Sequence, residues 1–584
     1  MRSNAADARR DVRYEPDERP PAALSLGLGA QYAMLAVSGI VLSPTILVRA
    51  AGGSDAYVMW AVCAALAICG VTTAVQAVGV GRVGARYVML MGSSSAFLAV
   101  SVSALEQGGP GLLATLIIAS SLFQFALAAR LSALRRIFTP TVAGTVVMLI
   151  PVSVTPVILG RLSDVPQGAS PAAAPVTLSV TLLVVVVTAL RGSGLLRLWG
   201  PVVGIVAGTV TGGLAFGLYD TESVREAAWI GLPPFAYPGL DLGFGPEFWA
   251  LLPAFALVTV VGAMDTLGDG VATQRVSWRK PRAIDFRSIQ GAMSADGLGN
   301  LLSGLAGTLP NTTYATGISI VELTGVAARS VGVSIGVIFV VMAFMPKFIA
   351  LIIAIPGPVV AGYFILLVAK LFTFGMEILQ HDGLDYRKSV AVGLAFWLGL
   401  AFQLDWIFPE YFQGLWSEML GNAMTVGGLT VIALTLFDEL TGPRRQRLRE
   451  ALSVEAYPKI DAFLAKLGAR RRWSGEMTER VRAVGEETLL LLIRSEEERA
   501  AVDKRRLLLV AGGEGDTAVL EFIAATDETN LEDQMALLGE RAAGGGIEQE
   551  VSLRLLRHYA SSVRHSQYHD TDVITVRVES AHAR

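Results

Sequence analysis

Apolar blocks of about twenty residues recur along this chain, and they constrain its fold more than any other feature. A helix of about twenty residues crosses a hydrocarbon core about 30 Å thick. The chain has 584 residues, of which 53% are hydrophobic and 17% are charged, whereas soluble proteins carry about 25% charged residues. The sequence therefore predicts an all-α polytopic membrane protein and not a soluble enzyme.

The apolar blocks form two sets of seven, separated by an acidic stretch rich in proline and glycine (residues 219–247). The first set comprises Leu24–Val48, Tyr57–Val78, Tyr87–Val102, Leu112–Ala129, Val142–Leu159, Val176–Leu190 and Val202–Leu218. The second set comprises Phe248–Val271, Gln290–Leu305, Thr316–Val326, Val331–Met345, Phe348–Ala369, Val390–Phe402 and Met424–Phe437.

Basic residues in the connections test this count, because cytoplasmic loops are enriched in Lys and Arg. With the N-terminus in the cytoplasm, sixteen of them fall in inside loops and four in outside loops. The distribution favours fourteen spans in a bacterial-type inner membrane, with both termini cytoplasmic.

Charge, cysteine content and motifs exclude several other functions. The net charge of −3 gives no basic surplus for nucleic-acid binding. Cys63 and Cys69 lie in one apolar block and offer neither a disulfide framework nor a four-ligand metal site. Phosphate-binding and zinc-hydrolase motifs are missing from the sequence. We therefore expect no enzymatic activity, no metal and no cofactor.

Two segments do not resemble simple spanning helices. Met91–Val100 and Gly307–Gly325 each begin with glycine and hydroxyl residues, before a short apolar helical run. Each is third in its set of seven, and matched interruptions in two halves indicate a transporter site in an inverted repeat. Half-helix N-termini there offer free N–H groups to a polar ligand. The alternative is a pair of ordinary spans with small-residue packing faces.

Two acids lie four residues apart in the eighth block. Asp265 and Asp269 fall on one helical face, and acids at bilayer depth are costly and mostly functional. They predict a polar pocket or a proton relay. The alternative is a solvated pair near a cytoplasmic helix end, paired with Arg275. Glu322, in the second broken segment, is expected near the cytoplasmic end.

The composition also divides the chain into domains. Residues 1–23 form a polar, proline-bearing stretch that we expect to be a disordered cytoplasmic tail, and residues 24–438 form the transporter domain. Phe372–Tyr386 is amphipathic and short, which predicts a helix lying along the membrane interface. Residues 439–584 predict a small α+β cytoplasmic domain behind a basic linker.

At four places the chain resembles the nucleobase–ascorbate transporters, the uracil/xanthine permease family. Gln31–Tyr32 stands where the first span of that family commonly has a Gln–His pair, and GSSSAFL is similar to its third-span strand motif. MDTLGDGVAT resembles the eighth-span motif, with Asp265 at the substrate-binding glutamate and Asp269 at the proton-linked position. LPNTTYATGISIVELTG resembles the tenth-span signature.

The resemblance implies a 7+7 inverted-repeat fold with core and gate domains, usually a homodimer in membrane lipid. It implies proton- or sodium-coupled symport of a nucleobase or related heterocycle by an elevator-like motion. It places the substrate against Ser94, Ser95, Asp265, Gln31 and the Tyr314–Ala315–Thr316 backbone, with coupling through Asp265 and Asp269.

Departures from the family pattern keep the substrate open. Thr316 replaces a Glu or Gln that makes paired hydrogen bonds to a lactam edge, Gly317 stands for Asn, and the eighth-span Glu is shortened to Asp265. A transporter of another small acid or heterocycle, an uncoupled facilitator and a membrane ligand sensor signalling through its C-terminal domain are the alternatives. The C-terminal region itself faintly resembles a degenerate histidine-kinase-like ATPase domain, which implies a regulatory or dimerising module.

Overall fold

A computed structural model describes most of the chain as two compact units. The described residues are 12–134, 139–166, 168–280, 282–383, 385–411, 420–441, 445–494, 506–514, 517–524, 530–536 and 547–579. The first unit comprises Met1–Lys280 with Ser288–Leu436, and the second comprises Pro281–Arg287 with Phe437–Arg584.

The first unit is a helical bundle with two short strands. Its helices up to the acidic stretch are α1 (Ala22–Ala50), α2 (Asp55–Val78), α3 (Leu98–Ala129), α4 (Leu131–Leu134), α5 (Pro140–Gly160), α6 (Ala173–Arg191), α7 (Gly194–Phe216) and α8 (Thr221–Glu226). Those that follow are α9 (Pro246–Val276), α10 (Phe286–Ala306), α11 (Thr316–Thr324), α12 (Arg329–Ala343), α13 (Pro346–Ile353), α14 (Gly357–Asp382), α15 (Tyr386–Gln403) and α16 (Ala423–Thr441). The strands are β1 (Met91–Ser93) and β2 (Asn311–Thr313).

Long apolar helices make this unit a multi-pass membrane protein. Nine helices within the described ranges are long and apolar enough to cross a bilayer, and the bent pair α12–α13 makes up to ten. Large side chains such as Tyr32, Phe97 and Phe255 fill the interior. Leu183 and Leu214, on α6 and α7, are 64% and 85% exposed, as suits residues that face lipid.

Two segments differ from the predicted spans because glycine or proline interrupts their helices. The third and fourth apolar blocks share one long helix, α3, which is kinked where Gly109 adopts φ 72° and ψ −173° before Pro110. The predicted span Phe348–Ala369 is wrong: α13 ends at Ile353 and α14 begins at Gly357, after Pro356. Proline fixes its own φ and restricts the residue before it, which ends the first helix.

The predicted interfacial helix is also wrong. Residues 372–382 continue α14 without a break, and α15 begins at Tyr386. Proline is missing between Val368 and Gly383, and the helix continues through Gly375, so the amphipathic stretch extends the spanning helix. The helix ends where Gly383 adopts a φ of 76°, and Asp385 caps the next helix by accepting from the Lys388 N–H.

The second unit is an antiparallel sheet with helices. Its strands are β3 (Gln446–Ala451), β4 (Arg506–Glu514), β5 (Thr517–Ala524), β6 (Ser562–Gln567) and β7 (Asp572–Glu579), in the order β3-β4-β5-β7-β6. Its helices are α17 (Tyr457–Arg471), α18 (Gly475–Arg494), α19 (Leu531–Ala536) and α20 (Ile547–Tyr559). Leu464, Val481, Phe522 and Ile574 belong to one buried core. The stretch expected to be a basic linker contains β3, and α17 was not predicted.

Candidate functional site

The two broken segments meet in the interior of the first unit. Strands β1 and β2 pair antiparallel, with Met91 opposite Thr313 and Ser93 opposite Asn311. Each strand runs directly into a helix: a 3-10 turn begins at Ser95 and leads into α3, and α11 begins at Thr316. Two helix N-termini therefore lie at the ends of one two-stranded ribbon, where they offer N–H donors to a polar ligand.

Tyr314 holds this ribbon together. Its N–H donates to the Leu90 carbonyl at 2.8 Å, and its hydroxyl donates to the Ser93 carbonyl at 2.8 Å. Its ring lies against Gly92, where an added Cβ would be only 2.2 Å from the ring Cζ. The side chain of Tyr314 is therefore a brace between the two segments.

The two predicted acids lie on α9, which packs against β2. Asp269 accepts a hydrogen bond of 2.7 Å from the Thr313 hydroxyl, which ties α9 to β2. The Oδ1 atom of Asp265 is buried and has no hydrogen-bond partner among the described residues. A buried acceptor without a partner is costly, so a hydrogen-bond donor from a ligand would be favourable at Asp265 Oδ1.

A third acid, Asp296 on α10, was missed from the sequence. It is fully buried and accepts a short hydrogen bond from the Thr266 hydroxyl. Its Oδ1 atom has no partner within the described part of the chain, and it interacts electrostatically with both Asp265 and Asp269. The rule that selected Asp265, an ionisable residue inside an apolar block, would have found it in Gln290–Leu305.

Buried amides fix the position of β2. The Asn311 N–H donates to Asn300 Oδ1 at 2.8 Å, and Asn300 Nδ2 donates to Gln124 Oε1 at 2.6 Å. Asn311 Nδ2 donates to the Thr72 hydroxyl at 3.1 Å. Side chains from α2 and α10 therefore converge on Asn311, and Gln124 of α3 bonds the Asn300 side chain that holds it.

The remaining predicted residues surround the ribbon. Ser94 is buried, and its N–H donates to the Pro310 carbonyl at 2.8 Å. Ser95 and Thr316 are half-buried at the starts of their helical runs, and Ala315 is exposed. Gln31 is half-buried on α1.

The neighbour of Gln31 makes the contact to the second broken segment. Tyr32 is fully buried, and its hydroxyl donates to the Gly317 carbonyl at 3.3 Å.

A narrow cleft leads to Asp269. Three elements line it: the segment that precedes β1, helix α9 and the ribbon with the start of α11. Their lining residues are Val88, Met89, Leu90, Asp269, Thr273, Thr313, Tyr314, Gly317 and Ile318. Among the described residues there is no group of His, Cys, Asp or Glu side chains that could hold a metal ion.

Comparison with known proteins identifies the family. The family model for xanthine and uracil permeases, described as the permease family, matches residues 24–405, more than half of the chain. The chain belongs to this family. The permease is thus a transporter and not an enzyme, as its nucleobase–ascorbate transporter motifs indicated.

Individual relatives match most of the permease. A candidate purine permease from Clostridium perfringens is 30% identical over 421 residues, which cover 70% of this chain and 89% of that protein. The xanthine permease XanQ of Escherichia coli K12 is 29% identical over 460 residues, which cover 75% of this chain and 95% of that protein. The transmembrane domain of a cyanobacterial bicarbonate transporter, BicA, superposes with a TM-score of 0.48 at 14% identity, over 73% of this chain and 100% of that domain.

Proposed function

We propose that this permease is a secondary active transporter that takes up a purine-type nucleobase, or a related small heterocycle, together with a proton. The observation that carries the proposal is the buried Oδ1 atom of Asp265, which has no partner among the described residues, on the helix that Asp269 ties to the paired ribbon β1–β2. A carboxylate accepts hydrogen bonds only, so it suits the ring N–H groups of a xanthine-like substrate. The names of the two relatives point to the same substrate class.

The helix ends complete this proposed substrate site. The N–H groups at the starts of α11 and of the turn at Ser95 suit the carbonyl oxygens of a heterocycle. Thr316 offers a single hydroxyl where the family pattern has a Glu or Gln, so one paired contact to a lactam edge is replaced by backbone donors. We expect the permease to hold its substrate chiefly through Asp265 and the backbone N–H groups of Ala315 and Thr316, since the Tyr314 N–H already donates to the Leu90 carbonyl.

Proton coupling is proposed to run through the three buried acids. Asp265, Asp269 and Asp296 interact electrostatically, so the charge on one changes the free energy of ionising the others. A substrate that binds Asp265 therefore affects proton binding at Asp269 and Asp296, and the effect is reciprocal. Since Asp269 bonds the Thr313 hydroxyl of β2, its protonation state is also linked to the geometry of the ribbon.

The proposed architecture follows the family pattern: fourteen spans in a 7+7 inverted repeat, two cytoplasmic termini, a homodimer and an elevator-like motion of the core past the gate. The excess of basic residues on one side supports the orientation. The antiparallel pairing of the third segment of one set with the third of the other supports the repeat.

Uptake in proteoliposomes tests the function. We expect xanthine or another purine base to accumulate when the lumen is alkaline relative to the outside, and Asp265→Ala to abolish uptake. Ligand-induced thermal stabilisation should be lost in the same variant. Thermal stabilisation by a ligand that is not transported would favour the membrane sensor. Transport at a rate independent of the proton gradient would favour the uncoupled facilitator. If no purine or pyrimidine stabilises the protein, its substrate lies outside the nucleobases.

A further inference from the structure

The polar N-terminal stretch, expected to be a disordered tail, makes specific contacts over residues 12–18. Backbone hydrogen bonds join it to the turn between α11 and α12: the Arg13 N–H donates to the Gly325 carbonyl at 2.7 Å, and the Ala327 N–H donates to the Tyr14 carbonyl at 2.9 Å. Tyr14 packs against the main apolar core, and Val12 is buried. We call residues 12–18 the strap.

One arginine joins the strap to the end of α9. Arg279 lies three residues beyond the last residue of that helix. Its guanidinium donates to both carboxylate oxygens of Glu18 at 2.7 and 2.6 Å, and to the Val12 and Arg13 carbonyls at 3.0 and 2.7 Å. Its own N–H donates to Glu15 at 3.0 Å. Arg279 therefore makes five hydrogen bonds to the strap, whereas a single ion pair on a protein surface contributes little to stability.

A second arginine links the strap to the segment before β1. Arg329, at the start of α12, donates to Asp17 of the strap at 2.8 Å and to the Arg86 carbonyl at 2.7 Å. Trp278, next to Arg279, donates from its indole to the Tyr87 hydroxyl at 3.1 Å. The strap is therefore linked to three places: the end of α9, the end of α11 and the segment that leads into β1.

The same three elements form the cleft that leads to Asp269. Thr273 lines it from α9, Ile318 lines it from α11, and residues 88–90 line it from the segment before β1. An opening of this cleft requires at least one of these elements to move away from the others. Each of them is fastened, beyond the cleft, to the strap or to a residue that the strap binds.

We propose that the strap, residues 12–18, acts as a latch that holds the cleft beside Asp269 closed. Arg279 is the principal positioning residue of this latch. Arg279 does not line the cleft; it acts by fixing the end of α9 relative to α11. Release of the latch separates the elements and opens the path between the proposed substrate site and the strap side of the membrane. The inference gives the proposed transport a gate, but the latch itself is tested without any substrate.

Thiol labelling tests the latch directly. The chain has two cysteines, both buried, and both are replaced by alanine to give a background for Ile318→Cys, a reporter inside the cleft. The labelling rate with a membrane-impermeant maleimide is measured in vesicles that expose the strap side. We expect Arg279→Gln, and separately Glu15→Gln with Glu18→Gln, to raise this rate about fivefold or more. In uptake assays the same variants should change the maximal rate more than KM.

Arg275→Gln is the matched control. It removes the same charge from an exposed position on the last turns of α9, outside the strap contacts described above, and it should leave labelling unchanged. The latch is overturned if neither strap variant changes the rate, if Arg279→Gln acts and the Glu15/Glu18 variant does not, or if Arg275→Gln acts as strongly. Faster labelling in a permease that moves no purine would keep the latch and reject the proposed substrate.

Discussion

Asp296 is the single residue that most extends the site beyond the two acids on α9. Its carboxylate is fully buried and its Oδ1 atom is unpaired among the described residues. Asp296→Asn keeps the size and the acceptor for Thr266 but removes the charge. We expect proton-driven uptake to fall at least about tenfold, equivalent to about 1.4 kcal/mol, while the protein stays folded.

Radiolabelled uptake and thermal melting of the same preparations check this prediction. Glu322→Gln is the control, because it makes the same chemical change at an exposed acid on α11. Wild-type uptake by Asp296→Asn would remove Asp296 from the coupling scheme.

Gly92 gives a prediction about packing. A Cβ there would be 2.2 Å from the Tyr314 ring, so Gly92→Ala forces the ring or the ribbon to shift, at a cost of about 1–3 kcal/mol. We expect a lower melting temperature and weaker ligand binding. Gly393→Ala, in α15 with open space around the added atom, should instead leave stability unchanged or raise it. Equal melting temperatures of the two variants would show that the Tyr314 ring does not pack tightly against Gly92.

At the scale of elements, the position of β2 depends on buried amides. Asn300→Ala leaves the Asn311 N–H and Gln124 without their partner, and an unpaired buried donor costs about 1–3 kcal/mol. We expect thermal destabilisation together with loss of the ligand-induced shift. Ser294→Ala is the control on the same helix, since its hydroxyl donates to the Gln290 carbonyl one turn away and not to the amides that hold β2. Full ligand stabilisation in Asn300→Ala would contradict the proposed role of β2.

Sequence reasoning located the broken segments and α9 well, because glycine, hydroxyl residues and buried acids stand out in apolar surroundings. It missed the break near Pro356, which lies inside the predicted span Phe348–Ala369, and it made a separate interfacial helix from the end of α14. The boundary between the predicted blocks Val331–Met345 and Phe348–Ala369 coincides with the bend of 85° between α12 and α13, but apolar content does not give the angle at which two helices meet. The bonds of Arg279 to the strap join residues more than 260 positions apart, which a single sequence does not reveal.

At the scale of the whole molecule, the two units have separate hydrophobic cores, so we expect each unit to have its own free energy of unfolding. Phe522 is 1% exposed in the core of the second unit, and Phe522→Ala should cost that unit about 3–5 kcal/mol. We expect the calorimetric transition of this unit to move to lower temperature, while the ligand-stabilised transition of the membrane unit stays in place.

Val551→Ala is the matched control for this change, because Val551 on α20 is 49% exposed. A single transition that shifts as a whole in Phe522→Ala would mean that the two units unfold together.

The pairing of β1 with β2 also has a consequence for synthesis. Met91 and its partner Thr313 are more than two hundred residues apart, so the first strand enters the membrane long before the second is translated. At about 5–20 residues per second, the peptide groups of β1 wait about 10–45 s for their partners. During that interval they need another source of hydrogen bonds, since lipid supplies none. The insertion machinery, or water held beside the unfinished bundle, must therefore shelter β1 in the nascent chain until translation reaches Asn311.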